Sequence, residues 1–174
     1  QAVDTALERN DCRGAAALLD EMDAFMAGDR VQMYRITAFQ LAQWIHNRED
    51  IPPHAGPRSA VAHELALATL DRASGHSEAA LARLEALTEQ VHALDDDRLT
   101  AAWLHALGRS QMWFSELAVT AVETLEDAAE RFRALGLHGA ALSVDNTVAV
   151  TLLFMRDYDR GAAVNARCLE EAIA

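Results

Sequence analysis

Apolar residues recur at three- and four-residue intervals along nearly the whole chain. That spacing predicts helices at about 11–27, 30–48, 58–74, 77–94, 97–114, 117–135, 138–155 and 159–173. The breaks carry the residues that stop helices: Gly28-Asp29, the stretch from Ile51 to Pro57 with all three prolines, Ser74-Gly75, Asp95-Asp96-Asp97, Gly136 and Asp157. Most links are short, which makes consecutive helices antiparallel neighbours. β-branched residues are sparse, so the pattern predicts an all-α fold of about eight helices.

The pattern also repeats. A step of 41 residues takes Ala62 to Trp103 to Val144, Ala66 to Leu107 to Val148, and Leu70 to Gln111 to Leu152. The same step takes Ala80 to Ala121 to Ala162, Leu84 to Leu125 to Ala166, Val91 to Phe132 and Leu94 to Leu135. A period of this size marks a helical repeat array, in which no unit buries its apolar face alone and each stacks on its neighbours. Stepping upstream fails, because Ala80, Leu84 and Val91 lead back to Phe39, Gln43 and Asp50. The expected organisation is a divergent N-terminal hairpin over 1–50, then repeats at about 58–96, 97–137 and 138–174.

Composition narrows the class of partner. With 174 residues, half of them apolar, the chain is long enough for a continuous core. Its 27 acids outweigh 15 bases, all of them arginine, for a net charge of −12. Phosphate binding requires clustered cations, and these arginines are scattered among carboxylates, so nucleic acid is not an expected partner. The two cysteines, Cys12 and Cys168, fall near opposite ends of the expected stack, which argues against a disulfide and fits a reducing cytoplasm. No long uncharged apolar run occurs, and no membrane association is expected. Both ends of the sequence fall within helical pattern, as in a piece of a longer protein.

The segment Arg156-Asp157-Tyr158-Asp159-Arg160-Gly161-Ala162 resembles the turn into the second helix of a tetratricopeptide repeat, whose common form is Gly-Asp-Tyr-Asp-Glu-Ala. Asn146-Thr147-Val148-Ala149 and Leu107-Gly108 are similar to that family's first-helix pattern, and Gly75-His76-Ser77-Glu78-Ala79-Ala80-Leu81 supplies a third match. The spacing departs from the family's usual 34, and the apolar ladder of the second helices sits one residue later. HEAT-like repeats, with periods of 40–47, are the alternative fold. The resemblance implies antiparallel hairpins stacked as a right-handed solenoid. The phrase Phe132-Arg133-Ala134-Leu135-Gly136, followed by Asn146 and Asp157-Tyr158, is also similar to the regulatory N-terminal regions of bacterial signalling proteins. These include diguanylate cyclases with a GGDEF output domain and the sensor regions of LuxR-type regulators.

In tetratricopeptide-like arrays the first helix of each pair lines a concave groove. Carried through the 41-residue register, the family's groove positions fall on a hydroxyl row, Thr69, Ser110 and Thr151, and on a second row, Arg72, Trp113 and Phe154. Asn146 lies on the same helix as Thr151 and Phe154, where it is suited to hydrogen-bonding an extended peptide, and Arg72 to pairing with a carboxylate. A packing reading stands beside this one. Trp113 and Phe154 also suit the space between repeats, as do Trp44 and Trp103, and the hydroxyls also suit bonding back to their own helix.

Motifs for chemistry fail one by one. His63-Glu64-Leu65-Ala66-Leu67 starts like a zinc-protease helix but has leucine where the second histidine belongs, and no two of the seven histidines stand three or four residues apart. There is no phosphate-binding glycine loop and no nucleophile elbow. Asp95-Asp96-Asp97 lacks the glycine and terminal glutamate of a calcium loop and precedes a helix, which fits N-capping. The sequence therefore points to a non-enzymatic cytoplasmic module without metal or cofactor. Its expected partner is a protein, peptide or small signalling molecule, and its expected role is to regulate an attached output domain. The alternatives are a constitutive scaffold or the sensor region of a transcriptional regulator. Dimerisation through the last helix is a further expectation, since the end of an array leaves an apolar face uncovered.

Overall fold

The computed structural model describes residues 56–173, and every regular element among them is helical. They are α1 (Pro57–Ala73), α2 (Ser77–Glu85), α3 (Thr88–Leu94), α4 (Asp97–Gln111), a 3-10 turn at Ser115–Leu117, α5 (Ala118–Ala134), α6 (His138–Phe154) and α7 (Tyr158–Ile173). The expected helices at 11–27 and 30–48, the divergent hairpin over 1–50, Cys12 and Trp44 lie outside the described residues. None of the described helices is long and apolar enough to cross a membrane. The chain divides into two compact units, Gln1–Asp95 and Asp96–Ala174.

In the first unit, Pro57 opens α1 at a position where a missing N–H costs nothing, and the Ser59 hydroxyl accepts from the Gly56 N–H at 3.1 Å. The helix buries Val61, Leu65 and Ala68 and packs on α2 and α3, which contribute Ala80, Leu84 and Val91. Gly75 ends it with φ at +83°, and the His76 N–H donates to Asp71 O at 2.8 Å. Arg83 then clamps α2 to α1, at 2.6 Å from Glu64 and 3.1 Å from Asp71. The hydrogen bond that Arg83 donates to Glu64, opposed by partial burial and supported by Asp71, holds the guanidinium above its ordinary pKa.

The helix expected over 77–94 is two helices. At Ala86-Leu87 the ladder narrows, with the Leu87 N–H donating to Leu84 O, while the Thr88 hydroxyl takes Glu85 O at 2.7 Å. A side chain that bonds the backbone locally competes with the helical ladder, and the chain turns here without glycine or proline. The helix expected over 97–114 likewise ends at Gln111, and a turn and the 3-10 segment complete the link to α5.

The second unit is a run of antiparallel helices, each packed on the next. Asp96 caps α4 by accepting from the Leu99 N–H at 3.1 Å, as the N-capping reading of the aspartate run expects. Asp97 at the start of α4 reaches Arg131 near the end of α5, and Gly108 late in α4 faces Ala121 and Leu125 early in α5. A Cβ on Gly108 would lie 2.6 Å from Leu125 Cγ and 3.2 Å from Ala121 O, so the two backbones meet where only glycine fits. On α6, Asp145 meets Arg167 late in α7, and Ala149 and Leu152 face Gly161 early in it. Leu125, Ala128, Val144, Val148 and Leu152 fill the core, and Trp103 is buried with them.

The turns after α5 and α6 end in the same way with different residues. After α5, Gly136 takes φ of +72° and the Leu137 N–H donates to Phe132 O; after α6, Arg156 takes φ of +63° and the Asp157 N–H donates to Leu152 O. A left-handed conformation costs a residue with a Cβ about 1–2 kcal/mol. Arg156→Gly is therefore expected to stabilise the unit by about 1 kcal/mol, after the added flexibility of the unfolded chain is discounted, as read from the urea midpoint.

Candidate functional site: an exposed aromatic ledge

Because the helices alternate in direction, the ends of α4 and α6 and the starts of α5 and α7 lie at one end of the second unit. The sequence places aromatic and aliphatic residues there: Trp113 beyond α4, Val119 on α5, Leu153 and Phe154 closing α6, and Tyr158 opening α7. All five are exposed. Trp113 and Phe154 stand one repeat apart in sequence, and in space their ring centroids are 5.9 Å apart at an interplanar angle of 44°. The link following α4 turns at Met112, whose N–H donates to Gly108 O, and that turn carries Trp113 onto the ring at the end of α6. Each residue is still more than half exposed, 55% for Trp113 and 56% for Phe154. Contact between the rings and presentation to solvent coexist, so the two sequence readings of these residues are not exclusive.

Of the other expected groove residues, Asn146 is exposed on α6. It lies two helical turns before Phe154, about 12 Å along the axis. Asn146, Val150 and Leu153 follow at i, i+4 and i+7 and so share one face, polar at its start and apolar where it reaches the ledge.

The hydroxyl row is placed differently. Ser110 and Thr151 are both buried, at 1% and 0% exposure. The Thr151 hydroxyl donates to Thr147 O at 2.8 Å and lies 3.9 Å from the Met112 sulfur. Thr69, half-buried in the first unit, donates to Leu65 O at 3.0 Å. The reason is geometric. These residues stand three positions before Arg72, Trp113 and Phe154, a 60° rotation about the helix that turns Ser110 and Thr151 into the core. Arg72 also belongs to the first unit, in the last turn of α1, where a cation favours the helix dipole. Burial draws its guanidinium below the ordinary arginine value.

Two features escaped the sequence reading. Leu153 extends the ledge, and its signal was the same 41-residue step, which pairs it with Met112. At the opposite end of the unit Asp145, 1% exposed on α6, bonds both Arg133 of α5 and Arg167 of α7, and Arg133 also bonds Glu171. Partial burial works against the Arg133 charge, yet Asp145 and Glu171 outweigh it and raise its pKa. Cys168 beside them is a free thiol whose pKa is pushed up by burial and by the Asp145 charge, which makes it a poor nucleophile at neutral pH. Among the described residues no group of three or more His, Cys, Asp or Glu side chains is placed to hold a metal ion.

The described residues form antiparallel helices that carry an exposed aromatic ledge. No protein-family model, no curated protein and no solved structure matches the chain.

Proposed function

We propose that the chain is a non-catalytic, tetratricopeptide-like interaction module. In this reading it binds a protein, peptide or small signalling molecule on the exposed face of its first helices, and so regulates an attached output domain. The observation that carries the reading is the Trp113–Phe154 pair: equivalent positions of successive repeats that meet each other and still face solvent. Paired rings offer a ligand a large, rigid surface at low entropic cost, and such aromatic anchors dominate binding energy where they occur. Asn146 and Val150, further along α6, would extend the contact with polar and apolar groups. Of the output domains that the sequence resemblance implies, a GGDEF diguanylate cyclase is the one we favour. A ligand that binds one arrangement of the hairpins better than another would shift the state of that output by linkage.

A thermal-shift screen with peptides and metabolites tests the reading, because a ligand selective for the folded chain raises its melting midpoint. Trp113→Ala/Phe154→Ala should abolish that rise. The double variant itself should stay folded, losing about 1 kcal/mol from the ring contact. Ligands that raise the variant's midpoint as far as the parent's would remove the ledge from the site.

A further inference from the structure

Arg156 stands in the turn between Phe154 and Tyr158, so an exposed cation lies between two exposed rings in the chain. Local structure does not ask for it. The turn holds this residue at φ of +63°, and in the matching turn after α5 the left-handed position is filled by Gly136, which takes it without strain. Nor does a fold contact account for it. Arg83, Arg131, Arg133, Arg160 and Arg167 each reach a carboxylate, whereas Arg156 has no ion pair with a described residue. Its neighbour Asp157 is engaged by Arg160, accepting from the Arg160 N–H at 3.3 Å and lying 3.9 Å from its guanidinium. A disfavoured backbone state kept by a residue without an internal partner is what a binding site shows, where stability yields to an external contact.

We propose, on the footing that the ledge is the binding surface, that Arg156 sets its specificity and that the partner is a peptide carrying one aspartate or glutamate side chain between apolar residues. The order ring, cation, ring fixes that pattern. A carboxylate paired with the Arg156 guanidinium has rings on either side of it, Phe154 with Trp113 on one and Tyr158 on the other, so apolar residues are matched both before and after the acid. A chain ending in its own carboxylate has no further residue to meet the second ring. A strongly acidic partner is disfavoured as well, because the chain carries a net charge of −12 and Glu116 and Asp159 are exposed at the same end of the unit. One carboxylate at Arg156 is attracted and further ones are repelled. A basic centre would meet Arg156 itself.

Isothermal titration of the intact chain with short acetylated, amidated peptides, apolar on both sides of a central Glu, Gln or Lys, tests this. The Glu peptides should bind about fivefold more tightly than their Gln counterparts, the effect of one charge-assisted pair at a partly exposed site, and the Lys peptides should bind most weakly. The preference should shrink as salt is added. Arg156→Gln should bind Glu and Gln peptides alike. Arg156→Gly should lose the same preference while unfolding at a higher urea concentration than the parent, and Trp113→Ala/Phe154→Ala should weaken all three peptides together. If Glu and Gln peptides bind the parent alike and both weaken on Trp113→Ala/Phe154→Ala, the ledge stands and the role of Arg156 is overturned. If that double variant binds all three as the parent does, or the parent binds none of them, the ledge fails and the proposal with it. An Arg156→Gly chain less stable than the parent also overturns it, by showing that the arginine serves the fold.

Discussion

Gly108→Val should cost the second unit about 3 kcal/mol or more, the upper range for overpacking a tight contact. The reason is local and specific. Alanine in place of a helical glycine ordinarily gains about 1 kcal/mol, but here a Cβ would stand 2.6 Å from Leu125 Cγ and 2.9 Å from its Cδ2, against a side chain that is itself fully buried. Leu125 has little room to withdraw, so α4 and α5 must move apart and loosen the packing around Ala121 as well. Gly108→Ala should therefore be net destabilising despite its better propensity, and the valine variant considerably more so. Urea unfolding followed by circular dichroism measures both. If Gly108→Ala were more stable than the parent, the close approach of α4 and α5 would be wrong.

Asp145→Ala is expected to cost about 2–3 kcal/mol and to act chiefly on α7. Breaking a buried ion pair typically costs about 3–5 kcal/mol because the surviving charge is stranded. The loss is smaller here because Arg133 and Arg167 are partly exposed, at 28% and 50% of their side chains, and can turn to solvent. The loss still falls on the last helix, since α7 buries only Gly161 and Val164, and of the three ion pairs that tie it to α5 and α6, Arg167 to Asp145, Glu171 to Arg133 and Arg160 to Glu126, the first two belong to this cluster. Amide exchange in α7 should accelerate well before exchange in α4 and α5, because weakly held elements open locally. Asp145→Asn, which keeps an acceptor of the same shape without the charge, should lie between the two. Uniform acceleration across all four helices would show that the cluster does not anchor α7 in particular.

Among the described residues most helices were readable because a 3.6-residue apolar rhythm and short links leave a chain few other arrangements. The period of 41 identified Trp113 and Phe154 as equivalent positions, and in space they touch. What the rhythm did not carry was the face of each polar residue. Thr151 follows Val148 at i+3 and precedes Leu152, which puts it on the edge of the buried stripe, and a hydroxyl is equally at home there when it can bond back to Thr147. Asp145 was hidden for the opposite reason: a carboxylate between Val144 and Val148 reads as an interruption until two arginines from helices before and after it are seen to meet it. The break at Ala86-Leu87 had no glycine or proline to announce it, only the Thr88 hydroxyl. Ala162 and Ala166, in line with the buried Ala121 and Leu125, lie in the open because burial depends on what packs against a helix as much as on its own sequence.

The proposed function requires the Trp113–Phe154 ledge to bind a partner. Its most direct test is the affinity of peptides selected from a random display library on the intact chain, measured against the parent and against Trp113→Ala/Phe154→Ala. The dominant selected peptides should bind the double variant at least about tenfold more weakly, the effect of losing one aromatic hot spot or more, while its circular dichroism matches the parent's. Equal affinity for the two folded chains would contradict it.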